Sequence, residues 1–249
     1  MFKQLFDTES STLTYLIVDD ATREALLIDP VLGNIESYIG LLKELNAQLK
    51  YSIETHVHAD HITASGTLRE RFNIKTAVSE QCNPTAADMQ LNDGDVLTLG
   101  SQQIKVILTP GHTPGSSCFL WGDRLFTGDT LFINGCGRTD FQNGSATSLY
   151  ASITNRIFTL PDETLIYPGH DYNGRRVSCV AQEKLINPRL AGKTLQEFIA
   201  IMDNLNLPKT KLMDIAIPAN RRCGVPELEV PQGWIKNSQS FIGYFYRLF

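Results

Sequence analysis

The sequence lacks the features that define several common protein classes. Its 249 residues include five cysteines, widely spaced and without a Cys-x-x-Cys pair, which argues against a disulfide framework and against a thiolate zinc site. No uninterrupted apolar stretch approaches the roughly 20 residues that cross a bilayer. The N-terminus has neither the basic start of a signal peptide nor the Arg-rich composition of a transit peptide. We therefore expect a protein of the reducing cytoplasm with no membrane partner.

The sequence is also short of positive charge. It has 22 Lys and Arg residues against 27 Asp and Glu residues, which gives a formal net charge of -5. Neutralising the phosphates of nucleic acid requires clustered basic side chains, so this balance predicts no nucleic-acid partner. Hydrophobic residues make up 42% of the chain, enough for a full core, and we expect one structural domain.

Apolar spacing predicts strands in runs as well as strands that alternate with helices. Alternation over 13–18 and the apolar segment 25–28 indicate a β-hairpin, while three-to-four spacing over 35–45 indicates a helix. Further strands are predicted at 51–53, 75–78, 96–99, 103–108, 118–121 and 124–127, and further helices at 63–72 and 148–158. This mixture favours an α+β fold, an αβ/βα sandwich with two mixed sheets between helical layers, over a doubly wound parallel sheet.

The last third of the chain has a different pattern from the rest. Residues 1–174 carry the predicted strands of a catalytic core, whereas 175–249 are mostly helical, with interruptions predicted at Pro188, Pro208, Pro218 and Pro226. We interpret 175–249 as an extension packed on the core within the same structural domain. Its final segment, 225–249, is rich in aromatic residues, namely Phe241, Tyr244, Phe245, Tyr246 and Phe249. We expect the core or a second subunit to cover them.

The strongest local pattern is the segment His56-Val57-His58-Ala59-Asp60-His61, which directly follows a predicted strand. We call residues 56–61 the histidine loop. Each buried imidazole needs its own hydrogen-bond partners, and adjacent imidazoles repel when protonated, so such a cluster is costly without a bound cation. The loop therefore predicts a metal site. Alternate residues at a strand end share one side, so His56 and His58 can share one centre while Asp60 and His61 face another.

The other two histidines also follow predicted strands. His112 lies in Pro110-Gly111-His112 and His170 in Pro168-Gly169-His170, and in both segments Pro and Gly favour a turn that aims the side chain. Asp129, after Gly128 at the end of a further strand, can add a carboxylate. These residues complete a set of seven candidate ligands, which by residue type alone suits one iron ion or two zinc ions.

The order of these motifs resembles that of the metallo-β-lactamase superfamily, in which His-x-His-x-Asp-His is followed by Gly-His, Gly-Asp and Gly-His. Within the superfamily, the sequence is most similar to the persulfide dioxygenases. That similarity depends on more particular blocks, namely Gly-Cys-Gly-Arg-Thr-Asp-Phe-Gln at 135–142, Asn-Pro-Arg-Leu at 187–190 and Pro-Ala-Asn-Arg-Arg-Cys-Gly at 218–224. The resemblance covers nearly all of the chain up to Gly224.

The resemblance implies oxidation of glutathione persulfide by dioxygen and water to glutathione and sulfite. It also implies one iron(II) per chain, held by His56, His112 and Asp129, and it favours a homodimer. Two imidazoles and one carboxylate on one face of an octahedral ion leave positions for sulfur and dioxygen. The remaining candidates would then be supporting residues or ligands of a second metal: His58, Asp60, His61 and His170.

The family-like blocks also supply candidates for binding glutathione, whose carboxylates suit the paired hydrogen bonds of arginine. These candidates are Arg138, Tyr172 and Arg221, although Arg138 could instead pair with Asp140. Two cysteines in the same blocks, Cys136 and Cys223, are interpreted as buried apolar side chains rather than nucleophiles.

Two other functions remain open at this point. A glyoxalase II-type hydroxyacylglutathione hydrolase would use the same ligands for a dinuclear centre, with Asp129 bridging the two metals. The continuation Thr139-Asp140-Phe141 and the short C-terminal region favour the dioxygenases over it. A non-catalytic metal-binding or redox-sensing protein is the third hypothesis, and it would require a closed site or exposed, reactive cysteines.

Overall fold

A computed structural model describes residues 1–225 of the chain. In this part of the protein, two six-stranded sheets pack face to face, with helices on the outer face of each. The predicted α+β sandwich with two mixed sheets between helical layers is confirmed. The aromatic residues of the final segment, 241–249, lie outside the described residues.

The first sheet is built from the N-terminal strands in the order β1-β2-β3-β4-β5-β6. The pairs β1–β2 and β2–β3 are antiparallel, and the other three pairs are parallel. Helices α1 (Ile35–Glu44) and α2 (Ser65–Phe72) connect the parallel strands and cover the outer face. The strands are β1 (Phe2–Phe6), β2 (Leu13–Val18), β3 (Glu24–Ile28), β4 (Gln48–Ile53), β5 (Lys75–Ser79) and β6 (Met89–Leu91).

The second sheet has the order β12-β11-β10-β9-β8-β7. Its strands are β7 (Val96–Leu99), β8 (Gln102–Leu108), β9 (Ser117–Trp121), β10 (Arg124–Gly128), β11 (Leu165–Pro168) and β12 (Ser178–Cys179). The pair β10–β11 is parallel, while the neighbouring pairs are antiparallel. The helices of this half are α3 (Ala146–Ser152), which continues as a π-helical turn (Ile153–Ile157), α4 (Val180–Ile186), α5 (Leu195–Asp203) and α6 (Met213–Asn220).

Strand β2 shows why the sheets stack. Leu13, Tyr15 and Ile17 point into the core between the two sheets, whereas Leu16 and Val18 pack toward α1 on the outer face. All six residues of β2 are buried, because the strand is covered on both sides. Among the described residues, no helix has the length and apolar composition needed to span a bilayer.

Two details differ from the pattern-based prediction. An interruption is predicted at Pro218, but Pro218 lies inside α6. Proline removes one helical hydrogen bond, and here the carbonyl that loses its partner belongs to the exposed Asp214 in the first turn, where water can replace the bond. The short edge strand β6 and the N-terminal strand β1 are not predicted, because neither has a long alternating pattern.

Candidate metal centre

The candidate ligands lie on loops that follow strands of both sheets. The histidine loop follows β4 of the first sheet, while His112, Asp129 and His170 follow β8, β10 and β11 of the second. One donor atom from each of His56, His112 and Asp129 lies within 4.8 Å of the other two. The structure therefore brings together the three residues that the resemblance implies as iron ligands.

A hydrogen bond to the main chain determines which nitrogen of His112 faces the centre. Nδ1 of His112 lies 2.7 Å from the carbonyl oxygen of Arg138. A carbonyl oxygen only accepts, so Nδ1 carries the hydrogen and Nε2 keeps its lone pair. Nε2 in turn lies 3.5 Å from Oδ2 of Asp129. His112 is thus held in the tautomer that can bind a metal through Nε2.

His56 is oriented by a chain of two hydrogen bonds. Thr55 Oγ1 donates to Oδ2 of Asp29 at 2.8 Å and lies 3.0 Å from Nδ1 of His56. Because the hydroxyl hydrogen points to Asp29, the oxygen accepts from Nδ1 and leaves Nε2 of His56 with its lone pair. Burial, together with His58 and His112, holds the pKa of His56 well below its usual value. The ring stays neutral, which is the form that binds metal ions.

The remaining residues of the histidine loop form a second group. One donor atom from each of His58, Asp60 and His61 lies within 4.8 Å of the other two. Nε2 of His58 lies 3.0 Å from Oδ1 of Asp29, and Nδ1 of His61 lies 3.0 Å from Oδ2 of Asp60. The opposite nitrogen of each ring is buried without a hydrogen bond to the described residues. An unpaired buried nitrogen is costly in water-free surroundings, so both positions suit a cation or an ordered water.

This grouping differs from the one expected from strand geometry. Spacing alone allows His56 and His58 to share a centre, yet His56 groups with His112 and Asp129. The reason is that β4 ends at Ile53, so the histidine loop turns rather than continuing the alternation of a strand.

Carboxylates and imidazoles pair with one another around the centre. Burial tends to raise the pKa of Asp60, but His61 and His170 outweigh it and hold that pKa well below its usual value. Burial opposes charge on His170, but Asp129 and Asp60 raise its pKa. Oδ1 of Asp129 lies 3.3 Å from Nε2 of His170 and makes no hydrogen bond with the described residues. A donor set of imidazole and carboxylate groups suits iron(II), zinc or manganese.

Comparison with known proteins agrees with this geometry. The model for the metallo-beta-lactamase superfamily matches residues 7–81 and 82–170. The human and mouse proteins named persulfide dioxygenase ETHE1, mitochondrial, are each 48% identical over 227 residues, which cover 90% of this chain and 89% of theirs. The chain belongs to the persulfide dioxygenase family. The crystal structure of ETHE1 from Myxococcus xanthus has a TM-score of 0.89 and 56% identity, covering 90% of this chain and 99% of that one.

Asp29 supports both His56 and His58, but it was not among the site residues predicted from the sequence. Burial tends to raise the pKa of Asp29, but His58 and the amide and hydroxyl of Thr55 lower it, so the carboxylate is ionised. A signal for Asp29 is present in the sequence, because it follows the apolar strand β3 just as Asp129 follows β10.

The three candidate glutathione-binding residues have different environments. Arg138 directs Nε and Nη2 to the carboxylate of Asp140, at 2.6 and 2.7 Å, and Nη1 to the carbonyl of Pro208 at 2.6 Å. The pairing with Asp140 that the sequence leaves open is therefore present. Tyr172 is 65% exposed and stacks on His170 with 5.6 Å between ring centroids. Arg221 is exposed, and its carbonyl accepts a hydrogen bond from the amide of Thr85 at 2.8 Å.

The cysteines of the family-like blocks are buried, as expected. Cys136 is 2% exposed, and burial raises the pKa of its thiol to about 11. Burial also raises the pKa of the Cys223 thiol. A buried thiol with a raised pKa is a poor nucleophile, which argues against the redox-sensing hypothesis.

Proposed function

We propose that this protein is a glutathione persulfide dioxygenase. In the balanced reaction, glutathione persulfide, dioxygen and water give glutathione, sulfite and two protons. Both atoms of dioxygen and the oxygen of water end on the terminal sulfur, whose bond to the glutathione sulfur breaks. The observation that carries this proposal is the 48% identity, over 90% of the chain, to two proteins named persulfide dioxygenase.

We further propose one iron(II) per chain, held by His56, His112 and Asp129. When bound, iron(II) would supply coordination positions for the substrate sulfur and dioxygen, together with the redox chemistry. This set is preorganised, because the carbonyl of Arg138 fixes the ring of His112 and the hydroxyl of Thr55 fixes the ring of His56. The buried Oδ1 of Asp129, which makes no hydrogen bond with residues 1–225, also fits a cation.

The second group of the histidine loop is proposed to support the reaction rather than to bind iron. One oxygen of the Asp60 carboxylate is already engaged, because Oδ2 accepts from Thr12 Oγ1 at 3.2 Å and lies 3.0 Å from Nδ1 of His61. Nδ1 of His58 and Nε2 of His61 are buried and make no hydrogen bond with the described residues. Both can orient the water that the reaction consumes.

Dioxygen uptake tests this proposal directly. Protein purified without oxygen and loaded with iron(II) should consume one dioxygen for each sulfite formed when glutathione persulfide is added. In parallel, zinc-loaded protein should hydrolyse lactoylglutathione slowly or not at all. Rapid thioester hydrolysis without persulfide-dependent dioxygen uptake would overturn the proposal.

A glyoxalase II-type hydrolase is the second candidate function, and one observation favours it. His58, Asp60 and His61 form a second donor group, as a dinuclear hydrolase requires. The named relatives make this candidate the weaker one. A reproducible two metal ions per chain in active protein would revive it.

We also propose a cytoplasmic homodimer without nucleic-acid or membrane partners. The net charge of -5 supports the absence of a nucleic-acid partner, and the aromatic-rich composition of 241–249 supports the dimer. Light scattering of the full chain tests the dimer, and a monomeric mass at micromolar concentration would contradict it.

A further inference from the structure

The side chain of Asn220, the last residue of α6, spans the second half of the histidine loop. Its Nδ2 donates to the carbonyl oxygens of His58 at 2.9 Å and His61 at 2.8 Å, and its Oδ1 accepts from the amide of Thr63 at 3.0 Å. Asn220 is buried, with 7% of the residue exposed. Both amide hydrogens and the amide oxygen are therefore used on one short stretch of backbone, 157 to 162 residues earlier in the chain.

The turn that follows Asn220 also approaches this region through its main chain. The amide of Gly66 donates to the carbonyl of Cys223 at 2.7 Å. A Cβ atom built on Gly66 would lie 2.6 Å from the same carbonyl oxygen, and one built on Gly224 would lie 2.1 Å from the carbonyl oxygen of Thr63. Glycine at both positions permits the approach, so the turn 220–224 and the start of α2 fit each other backbone to backbone.

The two ends of the histidine loop are held by different residues. At its start, Oδ1 of Asp29 accepts from the amide of Thr55 at 2.7 Å and lies 3.0 Å from Nε2 of His58. Further along, the loop has no strand partner among residues 1–225, because β4 ends at Ile53. In the described part of the chain, the carbonyls of His58 and His61 accept their hydrogen bonds from Asn220.

We propose that Asn220 is a positioning residue for the metal centre, an inference that rests on the metal site of the proposed function. Asn220 holds the backbone of the histidine loop at His58 and His61. This backbone continues directly from the proposed ligand His56, so its path affects where the donors of both groups converge. Removal of groups that orient metal ligands typically lowers metal affinity or activity by about 10- to 100-fold. The Pro-Ala-Asn block of the sequence thereby gains a physical role at the site.

Cobalt(II) binding tests the proposal without relying on turnover. The variant Asn220→Asp keeps the shape of the side chain but replaces the two donor hydrogens by an acceptor that faces two carbonyls. Asn220→Ser introduces no charge, and its hydroxyl is too short to reach all three partners. We expect both variants to bind cobalt(II) at least about 10-fold more weakly than the wild type, measured by competition with a chelator, and to show a changed visible absorption spectrum.

Two control variants separate positioning from general stability. Tyr150→Phe removes a hydrogen bond to the carbonyl of Lys193 at 2.7 Å, and Thr85→Val removes one to the carbonyl of Arg221 at 3.3 Å, in the same turn as Asn220. Both controls should lower the melting temperature slightly and leave the cobalt(II) affinity and spectrum unchanged. If Asn220→Ser behaves like these controls, Asn220 is only structural and the proposal is wrong, even if Asn220→Asp does not fold.

The outcomes for the wild type distinguish this inference from the proposed function. Tight cobalt(II) binding without persulfide-dependent dioxygen uptake would overturn the proposed reaction, while the comparison of Asn220 variants would still decide the inference. Absence of cobalt(II) and iron(II) binding by the wild type would overturn both.

Discussion

Arg138 contributes to His112 through its main chain, with 2.7 Å between the Arg138 carbonyl oxygen and Nδ1 of the imidazole. Its guanidinium points elsewhere, to the carboxylate of Asp140 and the carbonyls of Leu207 and Pro208. The side chain therefore fastens the loop that presents the carbonyl. A residue expected to bind the substrate is placed where it also determines the tautomer of a candidate ligand.

Substitution of Arg138 should weaken metal binding more than substrate binding. In Arg138→Lys, an ammonium group replaces the planar fork that pairs with Asp140, so the loop loosens and the carbonyl no longer fixes His112. We expect metal affinity to fall several-fold, to about 10-fold, with a smaller change in KM for glutathione persulfide. Asp140→Asn should have the same effect because it breaks the same pair. A large rise in KM at unchanged metal affinity would instead identify Arg138 as a glutathione ligand.

Metal content should divide the seven candidate ligands into two classes. His56→Ala and Asp129→Ala each remove a donor from the proposed iron site, so iron per chain should fall close to zero after gel filtration. His61→Ala should retain about one iron and lower kcat by about 10- to 100-fold, since His61 is proposed to orient water and neighbouring groups. Elemental analysis beside dioxygen uptake measures both quantities. Equal loss of iron in all three variants would contradict the division.

The glycine before His112 should not tolerate a side chain. Gly111 has a φ of +148°, and a Cβ atom there would lie 2.3 Å from the main chain of Leu149 in α3. Gly111→Ala should therefore lower the free energy of unfolding by about 2 kcal/mol or more and reduce metal binding by moving His112.

Gly40 provides the matched control for Gly111. It lies within α1, and a Cβ atom there would meet no atom within 4 Å. Gly40→Ala should raise the free energy of unfolding by about 1 kcal/mol, because alanine favours a helix interior. Urea unfolding of both variants checks the two signs. Similar changes in both would mean that the close approach to Leu149 has no energetic consequence.

Buried thiols should make the protein lose stability in alkali. Burial raises the pKa of Cys82 to about 12 and that of Cys118 to about 11, from 9.0 for an exposed thiol. Between pH 9 and the raised pKa of each thiol, the unfolded chain ionises that thiol while the folded chain keeps it protonated. Their contribution to stability is therefore complete below about pH 9 and is lost as the pH rises toward 11 or 12.

The variant Cys118→Ala measures this contribution. Raising the pH from about 8 to about 10 should lower the free energy of unfolding in both proteins. The decrease should be roughly 1 kcal/mol smaller in Cys118→Ala than in the wild type. Urea unfolding of both proteins at the two pH values gives the change in unfolding free energy with pH for each. Comparing these two changes removes the pH-independent effect of the smaller side chain. Identical pH dependence in both proteins would show that Cys118 ionises normally in the fold.

Local spacing in the sequence was sufficient to predict a metal site, but not its internal arrangement. Three histidines and an aspartate within six residues predict a metal-binding loop without knowledge of the fold. The partition of His56 and His58 into different groups depends on where β4 ends, and a strand boundary is poorly determined by apolar spacing. The strands and helices with long periodic patterns, such as β2 and α1, were correspondingly well predicted.

Contacts between distant segments account for what the sequence could not predict. Asn220 lies 162 residues from His58, and its role follows only from the packing of α6 against the loop. The role of the Arg138 carbonyl could not be predicted from the sequence either, because every residue has a main-chain carbonyl. Asp29 carried a usable signal at the end of β3, but its selection of a histidine tautomer through Thr55 requires coordinates.

The distribution of the proposed ligands over two sheets has a consequence for the protein's lifetime. His56 extends from the first sheet, whereas His112 and Asp129 extend from the second, so an ion held by all three would be a cross-link between the halves of the sandwich. Binding that occurs only in the folded state stabilises it by mass action. Molecules without iron would open more often and expose the interface between the sheets to proteases. The amount of this protein in a cell would then follow the iron supply, without any change in its synthesis.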